Sequence, residues 1–193
     1  MRPIVLFAVF ALVAALLHPS AAARTPASFA AIAFHNAVGS FCNHTVYSDL
    51  CVKTIVENAP TFKPLNQDTV LAILMSAVDS KAHEAKAFLL GLTKQHTLNS
   101  QTRELLRECV ETYSNAIGNL ADARRAIQAR DTGARDALIN SMIPNFESCD
   151  DGFTEFYLKS PMTAWTNVLK NMVDNCLAIV RMHSPYGPGF HLN

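Results

Sequence analysis

Leu106, Cys109, Tyr113, Ala116, Leu120, Ala123 and Ile127 are separated by steps of three and four residues in strict alternation. Only an α-helix gathers side chains at that spacing on one face; a strand would throw half of them to the opposite side. A helix with one long apolar stripe has to bury it against other elements. The flanking segments repeat the same signal, so the partners are helices. Val70, Leu71, Leu74, Val78, Ala82, Ala85, Phe88 and Leu92 predict a helix over about 66–92, ending near Gly91. The central stripe follows Asn99 or Ser100 as its cap.

After Asp131-Thr132-Gly133, the side chains Leu138, Met142, Phe146, Cys149, Phe153 and Phe156 share a face. Pro144 lies inside that segment, where it removes a backbone donor and crowds the preceding turn, so a kink or break is expected there. Ser160 as cap and Pro161 at the first helical position open a last helix carrying Met162, Trp165, Leu169, Met172, Cys176 and Ile179. Ser184-Pro185-Tyr186-Gly187-Pro188-Gly189 cannot continue it, so residues 184–193 read as a flexible tail. No run alternates apolar and polar over strand lengths. The expected class is therefore all-α: an antiparallel four-helix bundle over about 66–183, preceded by a small helical hairpin at about 28–60 carrying Phe29, Ile32, Ala33, Val38, Phe41, Val46, Leu50 and Ile55.

Met1-Arg2-Pro3 and an apolar run from Ile4 to Leu17, followed by Ser20-Ala21-Ala22-Ala23, have the pattern of a signal peptide over residues 1–23. That leaves residues 24–193 as one domain and predicts a secreted protein with no membrane association after the segment is removed. Lys plus Arg and Asp plus Glu are 16 each, so no net field draws nucleic acid. The basic stretch Arg124, Arg125, Arg130 and Arg135 is interleaved with Asp122, Asp131 and Asp136, as on a solvated helix face.

Five cysteines in an exported chain imply two bridges and one leftover thiol. Cys42 and Cys51 flank Asn43-His44-Thr45, the one glycosylation sequon in the chain, which suggests a short exposed turn closed by its own bridge with Asn43 as acceptor. Cys109, Cys149 and Cys176 all lie on apolar stripes, so periodicity leaves their pairing open; height along the helices discriminates. Across the turn near residue 131, Cys109 is about 21 residues back and Cys149 about 17 forward, a mismatch of roughly 6 Å. Across the turn near 159 the mismatch between Cys149 and Cys176 is roughly 10 Å, worse for a bridge whose Cα atoms must lie within about 7 Å. Cys109 is therefore paired with Cys149, and Cys176 is left as a buried thiol.

Catalytic patterns are absent from the sequence: there is no G-x-S-x-G, His83-Glu84 lacks the second histidine of H-E-x-x-H, and His35, His44, His96, His183 and His191 are scattered. Asp150 and Asp151 point around a helix rather than converging, which suits a surface better than acid–base work. No metal or cofactor is expected, and the chain is read as a non-enzyme. A helical carrier or storage protein is a further alternative, but it would need a cavity where these stripes carry Phe, Leu, Met and Trp sized to fill the core.

Four blocks in order resemble a plant family, the inhibitors of pectin methylesterase and invertase. Phe41-Cys42-Asn43-His44-Thr45-Val46-Tyr47-Ser48-Asp49-Leu50-Cys51 is similar to the family's Cys, Thr-x-Tyr, Cys segment. Cys109-Val110-Glu111-Thr112-Tyr113-Ser114-Asn115-Ala116 is similar to its Cys-x-Glu-x-Tyr-x-x-Ala helix, and Ser148-Cys149-Asp150-Asp151-Gly152-Phe153 to its Thr-Cys-x-Asp-x-Phe. Val173-Asp174-Asn175-Cys176-Leu177-Ala178-Ile179 resembles the closing helix, where an unpaired cysteine is common. The resemblance implies the same bridge pattern, first cysteine with second and third with fourth. It makes residues 24–193 an inhibitor domain that lies across an enzyme's active-site cleft in a one-to-one complex, with Glu111, Thr112, Asn115, Ser148 and Asp151 as its contact residues. The implied target is a pectin methylesterase in the cell wall or, alternatively, a cell-wall or vacuolar acid invertase. Invertase inhibitors often carry Pro-Lys-Phe where this chain has Thr132-Gly133-Ala134, which tilts the expectation to pectin methylesterase. The chain departs from the family at Asn115 and Gly118, where acids often stand, and at Pro144.

Overall fold

A computed structural model describes residues 26–59 and 65–182; the expected signal peptide and the 184–193 tail lie outside them. The described residues form six helices and no strand: α1 (Pro26–Cys42), α2 (Ser48–Asn58), α3 (Gln67–Thr93), α4 (Ser100–Gln128), α5 (Thr132–Glu155) and α6 (Thr163–Arg181). The last four close a ring in which α3 packs on α4, α4 on α5, α5 on α6 and α6 back on α3. The short pair α1–α2 sits outside the ring, with α2 against α3 and α6. This is the expected bundle with its N-terminal hairpin.

The helix starts are fixed by side-chain oxygens that accept otherwise orphaned backbone donors. Asn66 accepts from Thr69 N–H at 2.8 Å, Asn99 from Thr102 N–H at 2.7 Å and Asp131 from Ala134 N–H at 2.9 Å. Asn99, not Ser100, therefore caps α4, and α5 begins at Thr132 rather than after Gly133. Ser160 does not cap α6. Its hydroxyl accepts from Met162 N–H at 3.0 Å and closes a turn one step earlier, so the helix starts at Thr163.

Two further expectations give way to packing. Of the kink or break expected at Pro144 the break does not occur: α5 continues as helix through it, with Met142 and Phe146 on either side buried in the core and Pro144 exposed. The buried stripes also sit one residue over from the expected positions at two places, and a third expected core residue is not buried. Leu89 rather than Phe88 and Ile139 rather than Leu138 are fully buried, and Phe156, past the end of α5, is half exposed. In the hairpin, Phe29, Ile32 and Val46 lie exposed, Val38, Cys42, Cys51 and Ile55 are buried in the core, and Phe41 and Leu50 pack against it partly buried.

Both bridges form as expected: Cys42–Cys51 with Cα atoms 5.5 Å apart and Cys109–Cys149 with 4.6 Å, leaving Cys176 free and buried. The hairpin is held to the bundle by Asn175, buried on α6, whose amide donates to Tyr47 O at 3.0 Å and whose oxygen accepts from Tyr47 N–H at 3.3 Å. At the centre Tyr113 is completely buried, edge-on to Phe146 with ring centroids 5.1 Å apart, and its hydroxyl meets Thr166 Oγ1 at 3.1 Å. Burial pushes the Tyr113 phenol up to about 12 and the Cys176 thiol likewise to about 12, so both stay neutral. No described helix is long and apolar enough to cross a membrane.

Candidate functional site

The most extensive contact in the ring is between α4 and α5, which the Cys109–Cys149 bridge joins. Gly152 faces α4 across this seam, where a Cβ would rest in ordinary van der Waals contact with Leu105 Cδ2 at 3.6 Å and Glu108 Oε2 at 4.0 Å. Outside this seam the two helices form the walls of a shallow groove. One wall is Glu108, Glu111, Thr112 and Asn115; the other is Ser148, Asp151, Gly152 and Glu155. Each wall follows the spacing i, i+3, i+4, i+7, the outward counterpart of the stripe that each helix buries.

All five contact residues expected from sequence, Glu111, Thr112, Asn115, Ser148 and Asp151, line this one groove. Glu108, Gly152 and Glu155 were missed, although extending the same helical spacing by one turn reaches them. With them the groove holds four carboxylates, and none of Glu108, Glu111, Asp151 and Glu155 forms an ion pair among the described residues. The substitution of acids by Asn115 and Gly118 has therefore not made this face neutral. The small hydroxyls are turned inward on the backbone: Thr112 donates to Cys109 O at 3.1 Å and Ser148 to Pro144 O at 2.7 Å. Asp150 leaves the groove and accepts from Thr163 Oγ1 at 3.3 Å, so the adjacent carboxylates Asp150 and Asp151 diverge.

A second groove of similar size lies on the far side of the ring, among α2, α3 and α6. Its floor is apolar, with Leu50, Ala77, Val168 and Met172, and its charges are balanced by Lys53 and Lys81 against Glu57 and Glu84. Lys81 is already engaged, bonded to Glu84 at 2.6 Å and set over the Trp165 ring at 5.4 Å.

The remaining expected sites are placed as follows. Asn43 is exposed in the turn between the bridged cysteines, while the Thr45 hydroxyl of its sequon is buried and donates to Cys42 O at 2.8 Å. Among the described residues no group of three or more His, Cys, Asp or Glu side chains is placed to hold a metal ion. His35, His44 and His96 are exposed and apart, and His83 faces Asp79 on its own helix at 3.3 Å. The basic stretch is solvated and mostly paired, with Arg124 on Asp79 at 3.0 Å, Arg125 on Asp122 and Arg135 on Asp136 at 2.6 Å.

Known proteins agree with this architecture. A family model described as plant invertase/pectin methylesterase inhibitor matches residues 36–179. Among curated relatives, the chain is 25% identical over 150 residues to a probable pectinesterase/pectinesterase inhibitor 6 of Arabidopsis thaliana, covering 72% of this chain and 27% of that protein. It is 23% identical over 159 residues to pectinesterase/pectinesterase inhibitor 3 of the same plant, covering 76% and 27%. The chain thus spans about a quarter of the length of these relatives. Among solved structures, mutant form A of a pectin methylesterase inhibitor from Arabidopsis superposes with a TM-score of 0.62 at 18% identity, over 75% of this chain and 95% of that one. A further pectin methylesterase inhibitor structure from Arabidopsis thaliana gives 0.56 at 18%, over 75% and 94%.

Proposed function

The chain belongs to the plant invertase/pectin methylesterase inhibitor family, and from that premise we propose that it is a secreted inhibitor that lays the α4/α5 groove across the active-site cleft of a pectin methylesterase. The observation that carries this reading is the groove itself. Eight outward residues from two bridged helices form one polar surface with four carboxylates that the fold leaves without cations. Exposed carboxylates cost the free protein little, and they supply charge-assisted hydrogen bonds to a partner's Lys or Arg when water is excluded. Inhibition by occlusion needs no bond to be made or broken, only a stable one-to-one complex that bars the polymer from the enzyme. Two bridges suit export to an oxidising compartment, which for this target is the cell wall.

Invertase is the second reading. The stretch where invertase inhibitors of the family often carry Pro-Lys-Phe is Thr132-Gly133-Ala134, used here as the capped start of α5. It lies about 24 Å along the helix from Ser148, at the rise of roughly 1.5 Å per residue. A contact made there and a contact made in the groove are therefore different interfaces, and the groove is the one with unpaired charge.

The test is to titrate the oxidised domain separately into a plant pectin methylesterase and an acid invertase and to follow both activities. Stoichiometric loss of esterase activity, weakening as salt screens the groove, is expected. Loss of invertase activity alone would transfer the reading to the second target, and full retention of both activities would refute it for these enzymes.

A further inference from the structure

α5 ends in a turn whose backbone suits glycine but whose residue is tyrosine. Tyr157 N–H donates to Thr154 O at 2.9 Å and Leu158 N–H to Phe153 O at 3.0 Å. These are the paired bonds of a Schellman termination, in which the residue after the cap turns left-handed and is most often glycine. Tyr157 occupies that position at a φ of 55°, a conformation that crowds Cβ against the backbone. Arg130 makes the same turn after α4, with a φ of 58°, but its charged side chain belongs in water. An aromatic ring does not, and Tyr157 is 99% exposed, flanked by Phe156 at 49% and Leu158 at 40%. The fold gains no burial from the ring in return for the strain. A strained, uncovered aromatic points to a use outside the chain.

The turn also follows the last residue of the acidic groove in the chain. Glu155 is the last residue of α5 and lines the groove, and the three apolar side chains follow it directly. On the reading of that groove as the inhibitory face, we propose that Tyr157, supported by Phe156 and Leu158, is an aromatic anchor that enters an apolar pocket on the target esterase, next to the cationic surface that meets Glu111, Asp151 and Glu155. Interfaces are built this way: a few large aromatics carry most of the affinity, while a polar surround fixes register. The left-handed backbone presents the ring at the tip of the turn, fixed by two hydrogen bonds before the partner arrives, so little ordering remains to be done on binding.

Strain and binding make opposite demands on residue 157, which separates a functional ring from a structural one. Tyr157→Gly should raise or preserve the melting temperature while weakening inhibition of pectin methylesterase by about 10- to 100-fold. Tyr157→Phe, which keeps the ring, should stay within about threefold of the native protein. Equal inhibition by the native protein and Tyr157→Gly would overturn the anchor and leave the groove reading intact. A native protein that inhibits no pectin methylesterase would overturn both. Sedimentation of the native protein and the Gly variant supplies the remaining outcome: a native dimer that the Gly substitution dissolves, with inhibition unchanged, would assign the patch to a second copy of the chain and overturn the proposal.

Discussion

The molecule carries two grooves of similar size on opposite sides of the same ring of helices, and they treat charge in opposite ways. The groove of α2, α3 and α6 balances two lysines against two glutamates, pairs Lys81 with Glu84 and sets that ammonium over an indole. The groove of α4 and α5 gathers four carboxylates and pairs none of them among the described residues. Shape alone would not rank the two. Charge that the fold leaves uncompensated does, because it is stabilised only by water or by a partner, and a partner of opposite sign gains both contact and specificity.

The largest expected effect removes the support of one groove. Cys149→Ser opens a loop of 40 residues, which the chain-entropy relation rates at about 4 kcal/mol, against about 2.5 kcal/mol for Cys42→Ser with its 9-residue loop. Thermal unfolding of both variants should show the larger loss for Cys149→Ser, with esterase inhibition falling alongside. An equal or reversed order would mean that α4 and α5 hold their spacing without the bridge.

Next comes the sign of the charge. Replacing Glu111 and Asp151 together by Lys should cost about 3 kcal/mol of binding, since like charges would then meet at the interface. Glu57→Lys and Glu84→Lys, in the balanced groove, should leave inhibition within about 0.5 kcal/mol of native. Inhibition constants that move equally for both sets would erase the distinction between the faces.

The smallest effect is on the fold's own response to pH. Tyr113 and Cys176 lie between the two faces, and burial raises both to about 12 from ordinary values of 10.0 and 9.0. A raised folded value means that the native state holds the proton more tightly than the unfolded chain. The corresponding stability is complete below about pH 9 and is lost as pH climbs from there toward 12. Melting curves should accordingly show no change from these two groups through neutral pH and a decline only in the alkaline range. Any change of inhibition between mildly acidic and neutral solution that leaves the melting curve unmoved then belongs to the interface.

Much of this was legible from spacing. The strict alternation of threes and fours on α4 marks six fully buried positions, from Leu106 to Ala123, and the half-buried Ile127. The errors at Phe88 and Leu138 came from breaking that alternation. The observed stripes, Val78, Ala82, Ala85, Leu89 on α3 and Ile139, Met142, Phe146, Cys149, Phe153 on α5, keep it. At Pro144 the helix continues where a break was one of two expected outcomes, since a propensity rule weighs a missing hydrogen bond but not the buried neighbours on both sides. In the groove, the five expected residues came from family resemblance, and Glu108 and Glu155 follow from extending the same helical spacing by one turn on each wall. The Tyr157 turn was out of reach, because its left-handed backbone follows from how α5 must end to hand the chain to α6 and no local residue pattern announces it.

Cys176 has a consequence for how the chain is oxidised. Four cysteines alone allow three pairings, and a fifth thiol multiplies the wrong ones. In the native state this thiol is fully buried and protonated, so it cannot act as the thiolate that attacks a neighbouring bridge. While α6 is undocked that protection is missing, and Cys176 competes for Cys149 or Cys109. Docking of α6 therefore takes Cys176 out of disulfide chemistry. Oxidation that waits for α6 to dock yields one product, whereas oxidation that runs ahead of it yields mispaired chains that only thiol exchange can rescue.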